Sequence, residues 1–381
     1  MHNTFSAFDY AMMARALRLA KRGIYTAAPN PMVGCVITLD GEIIGEGHHQ
    51  QAGTAHAEVN ALWQVNELIA QGKLVATQLK EATAYVTLEP CSHTGRTGPC
   101  ADALIDTHIG RVVIAMQDPY SQVSGRGIAK LQRANIQVEV GLLAAESNAL
   151  NRHFLSLVER QRPFVTAKLA TSLDGKIALD NGVSQWITGP EARQDVQAHR
   201  AQHMCILTGS QTVIADDPQL NVRLAELPEN VQQTLAANPL AQYTQPLRAI
   251  IDSQRQISEQ YQIVRDANTQ APTHVFTPDN IPLNGNGKCD LSAVLDALGQ
   301  QGINSVWVEA GAGLVGAMLN ARLLDELIIY QAPLLLGADA KDAINIAKLT
   351  QMDQRIELDI IDTRKVGQDI KHTCHVIYPK G

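Results

Sequence analysis

Apolar and polar positions along this chain follow two periods, and the period switches repeatedly. Near the start it is helical. Phe8, Met12, Ala16 and Leu19 share one face, Ser6 and Asp9 stand three apart as in a capping box, and Gly23 falls where the helix should stop. Two apolar runs, MVGCVITL and EIIGEG, flank Asp40-Gly41, a strong hairpin signal. HAEVNALWQVNELIA predicts a helix, ATAYVTLEP a buried strand, residues 100–108 a helix, RVVIAMQD a strand and QVEV a short one. A polar helix over 142–162, ending at Pro163, reads as a junction. Beyond it the alternation restarts. PFVTAKLA, HMCILTG, LRAIIDS, THVFT, NSVWVEA and DELIIYQAP predict strands, and 190–202, 291–300 and 313–322 predict helices. Residues 225–246, rich in Asn, Gln and Pro, read as a surface excursion, and 278–288 as a loop. Strands alternating with helices in both halves predict an α/β protein.

Length turns this into two domains: 381 residues exceed one ordinary domain, and we expect 1–147 and 148–381, each able to bury its own core. A net charge of -7 without any Lys/Arg run argues against a nucleic-acid partner. The N-terminus lacks the basic start and apolar core of a signal peptide, and no run is long enough to span a membrane. Six scattered cysteines do not form a disulfide framework, so the expected setting is cytoplasmic with reduced thiols. Cys35, Cys205 and Cys289 read as buried thiols, and Trp63 and Trp307 as core. Strand alternation puts Cys374 on the opposite face from His375, against a joint metal site.

The informative chemistry in the first half is His56-Ala57-Glu58 followed by Pro90-Cys91 and Pro99-Cys100. Hydrolysis of an amidine-like C–NH2 by zinc needs three protein ligands and one open position for water. One imidazole and two thiolates supply the ligands. A carboxylate that is not a ligand must take the proton of the water and pass it to the leaving nitrogen; Glu58, two residues from His56 at a helix start, is placed for this. The predicted metal ligands are therefore His56, Cys91 and Cys100, with Glu58 catalytic, the pattern of zinc nucleobase deaminases. The alternative is a structural zinc, which wants a fourth ligand, and His93 is the nearby candidate. Common deaminases of this type hold their cysteines as C-x-x-C. Here eight residues, Ser92 to Pro99, intervene, and Arg96 among them could meet a sugar or a phosphate.

In the second half, strand Ser305–Glu309 runs into Gly311-Ala312-Gly313-Leu314-Val315-Gly316 and a helix, which is G-x-G-x-x-G in strand–turn–helix context. Such a loop admits a pyrophosphate at the helix N-terminus. The ribose-binding acid of a plain Rossmann domain is missing, because Asp325 and Glu326 come too early. A glycine turn packed tightly on a helix remains the alternative.

Pro29-Asn30-Pro31, Val33-Gly34, His56-Ala57-Glu58, the run Thr87-Leu88-Glu89-Pro90-Cys91-Ser92-His93 through Cys100, Asp118-Pro119 and Gly125-Arg126-Gly127 together resemble the bifunctional deaminase/reductase family of riboflavin biosynthesis. The resemblance continues in Lys168 to Gly175, Ser184 to Gly189, Thr212 to Pro218 and Val308 to Gly311, with Gly98 standing where a second proline is expected. It implies an N-terminal cytidine-deaminase-like α/β/α domain, a C-terminal dihydrofolate-reductase-like α/β domain, and a zinc-dependent hydrolase joined to an NADPH-dependent oxidoreductase. It also implies a phosphorylated diaminopyrimidine substrate and admits a homo-oligomer through the reductase domain. By the same resemblance Asn30, His49, Arg96 and Asp118 line the pyrimidine or sugar site. Ala170, Trp186, Thr212, Asp216, Ser253 and Gly311, Ala312, Gly313, Leu314, Val315, Gly316 and Ala317 contact NADPH; Ser184, Arg200, Leu220, Arg223 and Glu309 contact the reductase substrate. Two arginines can clamp a phosphate, and Lys168 and Asp216 are the polar groups placed to orient the reacting carbon and manage protons. Two rivals stand beside this: a nucleic-acid base deaminase with an appended RNA-binding domain, and a chain in which one half is a dead scaffold.

Overall fold

A computed structural model describes residues 5–92, 98–120, 124–238, 241–265 and 271–379. The chain forms two compact units, one of residues 1–160 with 234–243, the other of 161–233 with 244–381.

The first unit runs α1 (Ala7–Ala20), β1 (Gly34–Leu39), β2 (Glu42–His48), α2 (Ala57–Ala70), β3 (Thr83–Leu88), α3 (Cys100–Asp106), β4 (Arg111–Met116), α4 (Arg126–Arg133), β5 (Gln137–Val140), α5 (Ala144–Leu150) and α6 (Arg152–Arg160). Its sheet has the order β2-β1-β3-β4-β5, antiparallel through the hairpin and parallel from β3 to β5. The hairpin turns on Asp40 (φ 51) and Gly41 (φ 81), the left-handed pair that a tight turn needs. Ser6 and Asp9 form the capping box. The buried face of α1 is Met13, Ala16, Leu19 and Ala20, however, and Phe8 is exposed. The smallest residues turn to the sheet because Gly34 lets β1 approach the backbone of Ala16 and Ala20 too closely for any side chain at that position. Trp63 also departs from its expected place in the core: it is 56% exposed on the outer face of α2, while Ala57, Ala61 and Val65 pack inward.

The buried Asp9 ties this unit together. It accepts from Ser6, from the Tyr85 hydroxyl at 2.8 Å and from Arg111 at 2.6 Å. Burial opposes its charge, but Arg111, Ser6 and Tyr85 together hold its carboxyl well below the usual range. A depressed carboxyl stabilises fully above its unfolded pKa of about 3.9 and loses that contribution as pH falls through the folded value. Asp9→Asn should therefore lower the thermal midpoint at pH 7, with the gap to the parent protein closing in melts taken below about pH 4. A gap that stays constant down to low pH would show that the charge contributes nothing.

The predicted junction helix is two helices, broken at Asn151, whose side chain accepts from Met32 N–H at 2.7 Å and donates to Met32 O at 3.0 Å. Both helices cluster with the first unit, so the compact units part at 160/161, later than the expected 147/148.

The second unit runs β6 (Phe164–Ser172), β7 (Lys176–Ala178), α7 (Pro190–Gln202), β8 (Cys205–Gly209), α8 (Ser210–Asp216), α9 (Glu229–Ala236), β9 (Leu247–Ile251), α10 (Gln262–Arg265), β10 (Thr273–Phe276), α11 (Leu291–Gln300), β11 (Ser305–Glu309), α12 (Ala312–Asn320), β12 (Glu326–Ala332), β13 (Lys341–Asp342), β14 (Glu357–Val366) and β15 (Asp369–Ile377), with the end of α9 passing into the first unit. Its main sheet has the order β10-β9-β8-β11-β6-β12-β15-β14, parallel as far as β12 and closed by an antiparallel hairpin. Near-continuous apolar strands such as CILTG and SVWVE suit a sheet covered on both faces, and Trp307 is fully buried, as expected. Cys35, Cys205, Cys289 and Cys374 are buried free thiols. The excursion at 225–246 is not simply a surface loop: Leu227, Val231 and Asn238 are buried.

Candidate functional site

Each metal-site residue stands at an element boundary. His56 is the N-cap of α2, Glu58 lies in its first turn, Cys91 follows the end of β3, and Cys100 opens α3. Gly47 on β2 allows α2 to seat against the strand, since a Cβ there would lie 2.5 Å from Ala57 O. The sheet thus brings together three side chains that are far apart in sequence. His56 Nδ1 lies 3.2 Å from Cys100 Sγ and 3.7 Å from Cys91 Sγ, and the three ligand atoms fall within 4.8 Å of one another. Cys100 N–H donates to Cys91 Sγ at 3.3 Å. Cys91 is pulled down to about 4, first because Cys100 donates to it and then, against burial, because His56 does; Cys100 is pushed up in return. One nitrogen and two sulfurs gathered this closely form a donor set that suits zinc and leaves one tetrahedral position open.

Glu58 is 3% exposed. Burial first, and then the charge of Cys91, push its carboxyl up to about 7, in the range of a group that both takes and gives a proton near neutrality. His49 is buried as well, next to the ligand His56. Its ring packs edge to face on His56, 5.4 Å between centroids, and its Nε2 lies 3.1 Å from Asn30 Nδ2. Burial lowers His49 to about 4, so it is a neutral ring. Asp118 receives Tyr120 N–H. Arg96 and His93 lie outside the described residues. A recess of about 520 Å³ opens beside Ser92, with Arg126, Lys130 and Arg133 in its wall.

Sequence reading missed Glu89. Its buried carboxylate accepts the backbone N–H groups of Asp118 and Gly125 on one oxygen and of Gly127 and Ile128 on the other, at 2.9–3.2 Å. It fills the N-terminus of α4 and ties the segment bearing Asp118 to the strand end bearing Cys91. The signal was its place between an apolar strand and Pro90-Cys91, where an acid needs several donors to be buried.

In the second unit, Glu309 at the end of β11 takes a bidentate pair from Arg200, at 2.5 and 2.9 Å, and the Trp307 indole N–H at 2.8 Å. Burial opposes the charge, yet Arg200 holds Glu309 at about 2. Lys168 pairs in register with Glu309 across β6 and β11. Burial lowers its ammonium, with Glu309 supporting the charge and Arg200 opposing it. Arg200 also donates through Nη1 to Asn221 O, so its fork is engaged within the protein. Arg223 is exposed and paired with Glu226; Leu220 is buried with φ 45. Ser184, Trp186 and Asp216 are exposed, and the Arg193 guanidinium lies over the Trp186 ring at 4.5 Å. Ser253 accepts Cys289 N–H, while Ala170 and Thr212 are half-buried. The glycine loop does open α12. A side chain at Gly316 would strike the backbone of Asn345, whereas Gly311 and Gly313 face open space. The loop is thus packed on one side and accessible on the other, which fits a pyrophosphate. Asp325 is spent on Arg162 and Val165 N–H, which explains why it is no ribose ligand.

Fold and site define a zinc-binding deaminase unit of the cytidine-deaminase type, followed by a reductase unit. Residues 6–116 match the cytidine and deoxycytidylate deaminase zinc-binding region, and 163–372 match the RibD C-terminal domain. The chain is 47% identical to the riboflavin biosynthesis protein RibD of Escherichia coli, over 95% of this chain and 98% of that one, and 43% identical to its namesake from Haemophilus influenzae, over 99% of each. Its structure is similar to that of Acinetobacter baumannii RibD (TM-score 0.83, 40% identity, 97% of this chain and 99% of that one). It is also similar to the Thermotoga maritima diaminohydroxyphosphoribosylaminopyrimidine deaminase/5-amino-6-(5-phosphoribosylamino)uracil reductase (TM-score 0.81, 30% identity, 97% and 98%). The chain belongs to the RibD family of bifunctional deaminase/reductases of riboflavin biosynthesis. No helix among the described residues is long and apolar enough to cross a membrane.

Proposed function

We propose that the chain deaminates 2,5-diamino-6-(5-phosphoribosylamino)pyrimidin-4-one to 5-amino-6-(5-phosphoribosylamino)uracil, and then reduces the ribosyl to the ribityl chain with NADPH. The observation that carries this is the convergence of His56, Cys91 and Cys100 beside buried Glu58, in a chain that also supplies the reductase half. Zinc held by those three residues supplies the Lewis acidity that makes a water nucleophilic near neutral pH. Glu58 takes the proton of the attacking water and delivers it to the departing ammonia. Asn30, His49 and Asp118 hold the ring, and the cationic recess at Arg126, Lys130 and Arg133 suits the phosphate end. In the second unit NADPH supplies a hydride. Gly311 and Gly313 admit its pyrophosphate, and Lys168, half-buried beside the Arg200–Glu309 pair, manages the proton at the reacting carbon. Asp216, exposed at the C-terminal end of α8, is the second polar group of that proton role. Deamination comes first if the second unit recognises the uracil carbonyl with a donor, because the amino group of the diamino compound would then meet that donor at a cost of about 1–3 kcal/mol. We propose a reducing, intracellular setting, consistent with six free thiols. Self-association through the reductase unit draws support from edge strand β14, which exposes Leu358, Ile360 and Ile361.

The test is an assay on the diamino compound. Ammonia should appear without NADPH, and NADPH should be consumed only as the deaminated compound accumulates. Gly313→Val should abolish NADPH binding and leave ammonia release intact. Unchanged cofactor affinity in that variant would mean that the loop serves packing alone, and NADPH consumption ahead of ammonia would refute the order.

A further inference from the structure

Ten residues from within the reductase stretch of the sequence belong in space to the deaminase unit. The chain leaves the second unit after Gln233 and rejoins it at Thr244, and the residues between cluster with 1–160. Asn238 is 1% exposed, and both ends of its amide are used. Its Oδ1 lies 2.8 Å from His48 Nε2, and its Nδ2 donates to Arg22 O at 2.9 Å. Four residues on, Gln242 N–H donates to Gln51 Oε1 at 3.1 Å and Gln51 Nε2 donates to Gln242 O at 3.4 Å. His48 ends β2, and Gln51 lies three residues beyond it. From within the first 160 residues, Thr26 Oγ1 donates to Gln50 O at 2.5 Å and Asn60 Nδ2 to His48 O at 2.8 Å. The residue held in the middle of this frame is His49, the one that packs on His56 and bonds Asn30.

A solvated excursion has no reason to bury an amide, because an amide taken out of water is destabilising unless its donor and acceptor are both met. Both are met here by groups of the deaminase unit. The brace reaches the metal ligand His56 only through His48 and His49, which makes it a supporting element.

We propose that Asn238, assisted by Gln242, is a positioning residue for deamination: it fixes the segment from His48 to Gln51 so that His49 stands against His56 and Asn30. The proposal rests on the reading of His49 as a substrate contact. It has an unusual consequence. A substitution deep in the reductase stretch should be read out by the deaminase and not by the reductase.

The test uses the full chain and compares Asn238→Ala, Asn238→Asp and His49→Ala in both half-reactions. Asn238→Ala should keep the parent zinc content and reduce the deaminated compound with NADPH within about twofold of the parent, while its deaminase KM rises about tenfold, the weight of one lost buried hydrogen bond, with kcat little changed. Asn238→Asp keeps the Oδ1 acceptor for His48 but turns a carboxylate oxygen onto Arg22 O in place of a donor, so its deaminase KM should rise at least as far as that of Asn238→Ala. An unchanged deaminase KM in Asn238→Ala overturns the brace, whatever His49→Ala does. A raised KM in Asn238→Ala beside an unchanged one in His49→Ala leaves the brace standing and removes His49 as the contact. Loss of zinc and of both activities in both Asn238 variants also overturns it, since the residue would then serve folding at large.

Discussion

Glu58→Gln should hold its zinc and lose two to four orders of magnitude of deamination, about the share that a positioned general acid–base contributes. The amide has nearly the same shape, so packing under α2 should survive. The ligand set, His56, Cys91 and Cys100, does not include Glu58, and the metal should stay. What the substitution removes is a carboxyl that burial has raised to about 7, able to accept one proton and release it within the same turnover. Stopped-flow absorbance of the pyrimidine with metal analysis of the same sample measures both quantities. Deamination within a few-fold of the parent would remove Glu58 from the proton path.

Cys91→Ser should behave in the opposite way toward the metal. Serine is a poor zinc ligand at neutral pH, and Cys91 is the sulfur that receives both the Cys100 N–H and the His56 imidazole. The variant should lose zinc and all detectable ammonia release, while NADPH-dependent reduction of the pre-deaminated compound continues at the parent rate. The two chemistries share no residue, and the groups that surround Glu309 all lie in the second unit. Full zinc retention would sink the ligand assignment.

Much of this was legible in the sequence, for definite reasons. His-x-Glu at a helix start and two Pro-Cys pairs at a strand end and a helix start are local signals, and the helices that carry His56 and Cys100 begin where the sequence predicted. The Asp40-Gly41 turn and the G-x-G-x-x-G turn are local in the same sense. What escaped depended on partners distant in the chain. The face of α1 turned on how closely Gly34 lets the sheet approach, which no helical period encodes. Trp63 reads as core by hydrophobicity, yet the small residues of α2 take that side. Glu89 looked like part of a motif and acts as a four-donor tie. The Arg200–Glu309 pair joins residues 109 apart in sequence, so each looked like a separate substrate contact. The clustering of 234–243 with the first unit has no sequence signature, because Asn238 and Gln242 stand in a stretch that reads as a solvated loop.

The central claim is that two separate active sites in one chain act in sequence, and mixing two crippled proteins tests it most directly. Cys91→Ser and Gly313→Val should each fail to make the ribityl product from the diamino compound and NADPH. A mixture of the two should make it, releasing ammonia first and consuming NADPH second, because the intermediate formed by one protein serves the other. No product from the mixture, with each variant still performing its own remaining half-reaction, would contradict the account.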